Sequence, residues 1–311
     1  MAERFNAAGN RVLLTGAQGF TGRHLVPRLQ HEGWEVWSIE RANRRGHGDI
    51  PPQACLQADL LDEVALRAAV QQVQPHAVIH LAAIAFVGHG SADDFYRVNL
   101  MGTRHLLEAL AQLPVPPRRV LLASSANIYG SNQEGALPES APMHPANDYA
   151  VSKLAMEHMA RLWAPQLPVV IVRPFNYTGL GQSPQFLIPK IVDHALRRAP
   201  VIELGNLDVD RDFSDVRDVA AAYVRLLDSA SGDQLSGSVF NVGSGRTHSL
   251  REVLAKVQSI SGHTMDVRVN PAFVRANEVR TLRADTTALE TVVGEWRQYS
   301  LGDTLRWMLH A

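Results

Sequence analysis

The chain of 311 residues holds a single cysteine, Cys55. No intrachain disulfide can form, and no pair of thiols is available for a zinc site. Its 13 histidines do not make up the deficit, because none falls in an HExxH spacing. No metal centre is expected. Charge of one sign is also missing. Basic and acidic side chains nearly cancel, leaving a formal net charge of −1, so no global field draws the protein to nucleic acid or to a membrane surface. The basic runs are short (Arg44-Arg45, Arg118-Arg119, Arg197-Arg198) and read as solvated loop or helix-end charge. Long apolar runs are absent. The first apolar stretch, Val12–Leu14, is far too short for a signal-peptide core or a membrane span. There is no internal repeat and no low-complexity segment. A reducing, cytoplasmic setting is the expectation.

Hydrophobic content of 46% is that of an ordinary soluble protein, and the length supports one large or two coupled domains. Through the first half, short β-rich runs alternate with helical ones. Strands are predicted at 11–15, 35–39, 77–81, 119–123 and 168–173. Between them, helices are predicted at about 22–32, at 62–72 with Asp62 as N-cap, over Phe95–Gln112 and over Tyr149–Trp163. Apolar strands in a β-α-β order predict an α/β Rossmann-type doubly wound parallel sheet. After Pro174 the pattern changes to helices at 188–198, 216–227, 250–261 and 301–309, with a strand at 238–242 able to return to the main sheet. The expected division is a dinucleotide-binding domain over 1–173, with about 207–242 returning to it. A smaller, mainly helical substrate domain is expected over 174–206 and 243–311.

Gly16-Ala17-Gln18-Gly19-Phe20-Thr21-Gly22 joins the first strand to the first helix. Glycine tolerates positive φ and lets backbone approach a pyrophosphate closely. The helix N-terminus adds unpaired N–H groups and a partial positive charge. The first two glycines stand one residue further apart than in the usual dinucleotide fingerprint. Glu40 closes the second strand, where an acid accepts from adenosine ribose hydroxyls and favours NADH. Arg41, Arg44 and Arg45 follow at once, where an arginine can accommodate an NADPH 2′-phosphate or simply belong to a solvated loop. The cofactor is thus NADPH or NADH. Asp59 and Leu60 are candidates for adenine contact, Asp59 alternatively for a local cap.

Tyr149-Ala150-Val151-Ser152-Lys153 opens a helix. Positions i and i+4 share a face. A phenol with a pKa of about 10 is a poor acid near neutrality, and a neighbouring ammonium lowers that value. The pair then suits proton exchange at a substrate oxygen. Ser125 lies at the end of a strand upstream.

These elements together resemble the extended short-chain dehydrogenase/reductases over essentially the whole chain. The matching stretches are Thr15–Gly22, His80-Leu81-Ala82-Ala83, Val98-Asn99, Ser124-Ser125-Ala126-Asn127-Ile128-Tyr129-Gly130, Tyr149-x-x-x-Lys153 and Arg173-Pro174-Phe175-Asn176. The resemblance implies that Ser125 hydrogen-bonds the reacting oxygen, Tyr149 exchanges the proton, and Lys153 tunes Tyr149 and holds the nicotinamide ribose. It also implies that Leu81, Ala82 and Ala83 contact the cofactor.

In the second half, Asn176, Lys190, Arg211, Arg275 and Glu278 resemble a GDP-sugar site of the GDP-mannose 4,6-dehydratase clan, nearest to its GDP-6-deoxy-D-mannose reductases. That likeness implies Arg211 and Arg275 on the diphosphate, Lys190 on guanine and Glu278 on a ribose hydroxyl, with Ser125 and Asn127 beside the sugar. Arginine forks suit phosphate oxygens. Dehydratases of the clan carry a glutamate base where Asn127 stands, and an amide has no useful basicity. The cysteine-and-histidine epimerisation of GDP-fucose synthase is disfavoured because Cys55 is predicted in a loop of the cofactor half. Reduction at C4 of a GDP-4-keto-6-deoxy-hexose is the expected reaction. A nucleotide-sugar 4-epimerase is the alternative, and a dehydratase or a non-catalytic dinucleotide sensor is more remote. Relatives pair two helices per subunit, which implies a homodimer through 95–112 and 149–163, with Ala155, Met156, Met159 and Leu162 available for core or partner.

Overall fold

The computed structural model describes residues 10–41, 48–85, 91–130, 133, 135–229, 232–273 and 281–311. The chain folds into two compact units. The first runs to Ile128 and adds Pro145–Arg173 and Ala220–Phe240. The second comprises Tyr129–His144, Pro174–Val219 and Asn241 onward. The returning segment is therefore narrower than the predicted 207–242, and 129–144 groups with the second unit.

In chain order the strands are β1 (Arg11–Thr15), β2 (Glu35–Glu40), β3 (Cys55–Gln57), β4 (Ala77–His80), β5 (Arg119–Ala123), β6 (Gly135–Leu137) and β7 (Val169–Pro174). They continue with β8 (Asn176–Thr178), β9 (Val201–Leu204), β10 (Asp210–Asp215), β11 (Val239–Val242), β12 (Thr247–Ser249), β13 (Asp266–Val269) and β14 (Thr281–Ala284). Seven form one sheet in the order β11-β7-β5-β4-β1-β2-β3. From β3 through β7 every pairing is parallel. Strand order reverses between β1 and β4, so the crevice beyond their carboxyl ends is where such sheets bind ligands. The doubly wound sheet matches the sequence reading, and β11 joins its edge as predicted.

Burial explains the strands. Val12, Leu13, Leu14, Val78, Ile79, Val120, Leu121, Leu122, Val170 and Ile171 are fully buried, as a sheet covered on both faces requires. Helix Phe20–His31 buries Leu25, Val26 and Leu29, and Gly33 follows its end at φ +86°. Helix Glu63–Val73 is capped by Asp62, whose carboxylate accepts from Ala65 N at 3.0 Å. The predicted 95–112 helix is wound as a π-helix over Phe95–Gly102 before it becomes α over Thr103–Ala111. Cys55 is not in a loop but starts β3, with Sγ 3.8 Å from Ile50 O; its register against Ser38 on β2 draws it into the sheet edge.

The second unit keeps the predicted helices, here Leu187–Leu196, Leu250–Ser261 and Leu301–His310, and packs Ile191, Val253, Val257 and Leu305 in a core of its own. It also carries short strands that the sequence pattern does not predict. β12, β10, β14 and β6 pair in that order with β8 on β10, and β13 pairs with β9. Apart from six-residue β10, these strands have three or four residues, too few positions for alternation to show.

Candidate active site

The glycine turn stands at the carboxyl end of β1. Gly16 has φ +77°, and a Cβ there would lie 2.9 Å from Ala82 N at the end of β4. A Cβ on Gly22 would lie 2.4 Å from both Gly16 O and Ala17 O. Gly19 N donates back to Gly16 O at 3.0 Å. The turn is thus closed so tightly that the first and third glycines admit no side chain. Helix Phe20–His31 begins at Gly19 without a side-chain cap and with no acid in its first turn. A helix start of this kind turns N–H groups and a partial positive charge toward an anion, with no carboxylate in the first turn to oppose it. Gln18 Nε2, buried, finds no partner among the described residues. These features fit a dinucleotide pyrophosphate. Glu40 is buried at the end of β2, while Arg41 beside it is exposed. Arg44 and Arg45 lie outside the described residues. Asp59 is exposed and accepts from Leu61 N at 2.9 Å, the local-turn alternative; Leu60 is buried in the core. Leu81, Ala82 and Ala83 follow β4 half-exposed, with Leu81 N on Thr15 O and Ala82 N on Thr15 Oγ1.

Tyr149 and Lys153 lie one turn apart on helix Asp148–Arg161, which Asn147 caps by accepting from Ala150 N at 2.9 Å. Both are buried. Lys153 Nζ donates to Ala123 O at 2.7 Å, tying the helix to the end of β5. Burial brings the Lys153 ammonium down to about 8, with Glu157 one turn on pulling the other way. Ser125, two residues past β5, is buried, and its Oγ accepts from Asn127 N at 3.1 Å. That bond occupies an acceptor lone pair and leaves the Ser125 O–H to donate. Asn127 itself is exposed.

The sequence reading assigned no role to several residues that hold this region. Asn99, on the π-helix, donates from Nδ2 to Ile84 O and Ser152 Oγ, both at 3.1 Å, and accepts from Ile84 N at 2.9 Å. It thereby fastens the irregular segment after β4 to the helix of Tyr149. His80 bridges Thr15 Oγ1 and Thr103 Oγ1 at 2.7 and 2.8 Å. Burial, with the Lys153 charge adding to it, pushes His80 down to about 3, so it is neutral. Arg173 and Glu157 form a two-pronged buried ion pair at 2.9 and 2.7 Å. Val98-Asn99 and Arg173 were visible as motif letters, but nothing in the sequence gives their partners.

In the second unit, Asn176 opens β8 and is exposed. Lys190 Nζ donates to Glu203 O at 2.7 Å and sits 4.5 Å from the Phe273 ring centre. Arg211, on β10, donates to Asp210 O at 2.9 Å. Arg275 and Glu278 lie outside the described residues. No group of three or more metal-ligating side chains occurs among the described residues, and none of their helices is long and apolar enough to cross a membrane.

Comparison with known proteins agrees with this geometry. The chain is 32% identical over 287 residues to a GDP-6-deoxy-D-talose 4-dehydrogenase of Aggregatibacter actinomycetemcomitans, covering 91% of each chain. It is 33% identical to a GDP-6-deoxy-D-mannose reductase of Pseudomonas aeruginosa, covering 96% of each. A solved structure of a candidate epimerase from Burkholderia cenocepacia J2315 superposes with a TM-score of 0.90 at 49% identity, covering 98% of each chain. The profile of the NAD dependent epimerase/dehydratase family matches residues 12–243. The chain is an enzyme of that family, the extended short-chain dehydrogenase/reductases, with a nicotinamide dinucleotide as its cofactor.

Proposed function

We propose that the chain is a cytoplasmic NAD(P)H-dependent reductase of a GDP-4-keto-6-deoxy-hexose, producing GDP-D-rhamnose or its C4 epimer. The observation that carries this reading is the set of groups around Ser125. A buried tyrosine–lysine pair handles a proton, while the neighbouring position 127 is an amide. Elimination of water needs a base there and finds none. The two GDP-6-deoxy-hexose relatives support the sugar class, and their names correspond to the two C4 epimers.

When bound on the glycine turn, the reduced nicotinamide supplies the hydride that C4 receives. The chain's residues do the rest. Ser125 donates its O–H to the C4 carbonyl oxygen and orients it. Tyr149 delivers the proton to that oxygen. Lys153 keeps one of its three N–H groups on Ala123 O, so two remain for the nicotinamide ribose and for steadying the phenolate as the proton leaves. Gln18, Phe20, Thr21 and the backbone between Gly16 and Gly22 hold the pyrophosphate, with Leu81, Ala82 and Ala83 beside the nicotinamide half. Glu40 suits a free ribose hydroxyl and Arg41 a 2′-phosphate. Lys190, Arg211, Arg275 and Glu278 take the GDP, and Asn127 and Asn176 the sugar.

The test is to supply the keto sugar with NADPH or NADH and follow the loss of reduced-nicotinamide absorbance. Oxidation of neither cofactor would refute the reading. Homodimerisation through helices 95–111 and 148–161 is part of the same proposal. Met101 and Val151 are exposed apolar side chains on them, and light scattering after size exclusion reports the mass.

A further inference from the structure

The second unit contains a cavity of about 830 Å³ whose lining comes from that unit alone. Neither Asn176, Lys190 nor Arg211 lines it. Its volume is that of a small-molecule site. Five cations line it; Arg297 and Arg306 are held in ion pairs with Glu290, Glu295 and Asp303, which leaves Arg246 from the turn after β11, Lys256 from helix Leu250–Ser261, and Arg283 from β14. Among the described residues none of the three lies within ion-pair distance of a carboxylate. The acids that share the cavity are engaged elsewhere. Glu290 and Glu295 pair with Arg297. Asp218 accepts from Gln298 N and Tyr299 N at 2.9 and 3.2 Å. Asp285 accepts from Thr287 N and Oγ1 at 3.0 and 2.7 Å, and the charge of its neighbour Arg283 acts on it without a direct ion pair.

Ser214 supplies the second observation. It is only 7% exposed, lines the same cavity, and its Oγ has no hydrogen-bond partner among the described residues. A buried hydroxyl without a partner carries an uncompensated desolvation cost. A turn of the side chain that brings the hydroxyl to the cavity wall lets a ligand oxygen remove that cost.

We propose that this cavity is a second ligand site, separate from the catalytic one, which binds the phosphate group of a small organic phosphate. Two guanidinium groups, one ammonium and one hydroxyl suit the double negative charge and three terminal oxygens of a phosphate better than the single charge of a carboxylate. Trp296 and Tyr299, also in the lining, give the organic remainder an apolar wall.

The experiment is calorimetric titration of inorganic phosphate into the full chain with the glycine turn filled by saturating cofactor. Saturable binding at millimolar phosphate is expected. Ser214→Ala and the exposed Arg246→Gln should each weaken it by about tenfold, whereas Arg211→Gln should leave it unchanged. The thermal midpoint without phosphate should hold or rise for Ser214→Ala, because the hydroxyl removed has no partner to lose. A purely structural serine would instead lower that midpoint. The proposal is overturned by an absence of saturable binding, by equal binding in all variants, or by loss in Arg211→Gln alone. If Ser214→Ala does not fold, Arg246→Gln and Arg283→Gln decide the matter in the same way.

Discussion

At the residue scale the chemistry turns on the protonation of Lys153. Its ammonium sits at about 8 because burial disfavours the charge, while Glu157 partly restores it. Below that pH the cation is present and steadies the Tyr149 phenolate; as pH rises through it the cation is lost. The reduction rate should therefore fall along a basic limb centred near 8, a value belonging to the Tyr149–Lys153 pair as a unit. A pH profile of kcat/KM checks this. Glu157→Gln removes the charge that holds Lys153 up, so the limb should move to lower pH. The same change removes the charge that neutralises Arg173, which is fully buried, and breaking such a pair costs about 3–5 kcal/mol. A lowered thermal midpoint should accompany the shifted limb. Tyr149→Phe removes the proton donor and keeps the ring. It should cut turnover by roughly 10²–10⁴-fold and leave cofactor affinity unchanged in a fluorescence titration.

At the scale of elements, the glycine turn and the β10 anchor make two distinct predictions. A methyl group on Gly22 would meet two backbone carbonyl oxygens at 2.4 Å, and backbone cannot rotate aside as a side chain does. Gly22→Ala should cost on the order of 1–3 kcal/mol and weaken cofactor binding, read from thermal melting and fluorescence. Asp212, fully buried on β10, accepts from Ser244 N and Oγ, Gly245 N and Ala284 N at 2.6–3.1 Å. Each donor left without its acceptor costs about 1–3 kcal/mol, so Asp212→Ala should melt the second unit well before the first in calorimetry. The contrast also marks what a sequence makes legible. The parallel strands and the YxxxK helix could be read because apolar runs and i, i+4 spacing are local signals. The role of Asp212 could not, since its partners lie 32, 33 and 72 positions away along the chain. Asn99 was legible as a letter of a motif, yet its bonds to Ile84 and Ser152 exist only once the helices pack. The π-winding of Phe95–Gly102 left no periodic trace, because apolar spacing over eight residues does not separate π from α.

At the scale of the whole molecule the question is whether hydride leaves the protein with the product. A reductase and a 4-epimerase of this family share Ser125, Tyr149 and Lys153, and both need the glycine turn. They differ in bookkeeping. An epimerase returns the hydride to the same sugar, so its cofactor cycles without net change and is best retained. A reductase consumes one reduced cofactor per sugar and must release the oxidised form before the next turnover. The reductase reading requires that exchange. The protein should therefore emerge from purification and dialysis without stoichiometric nicotinamide, as an absorbance spectrum of the acid-released supernatant will show. With the keto sugar, loss of reduced nicotinamide should equal the sugar consumed. With a GDP-hexose that already bears a C4 hydroxyl and with no added cofactor, no epimer should form. Retained cofactor together with epimer formation in that last mixture would assign the chain to the epimerases, and the amide at Asn127 would then exclude only elimination.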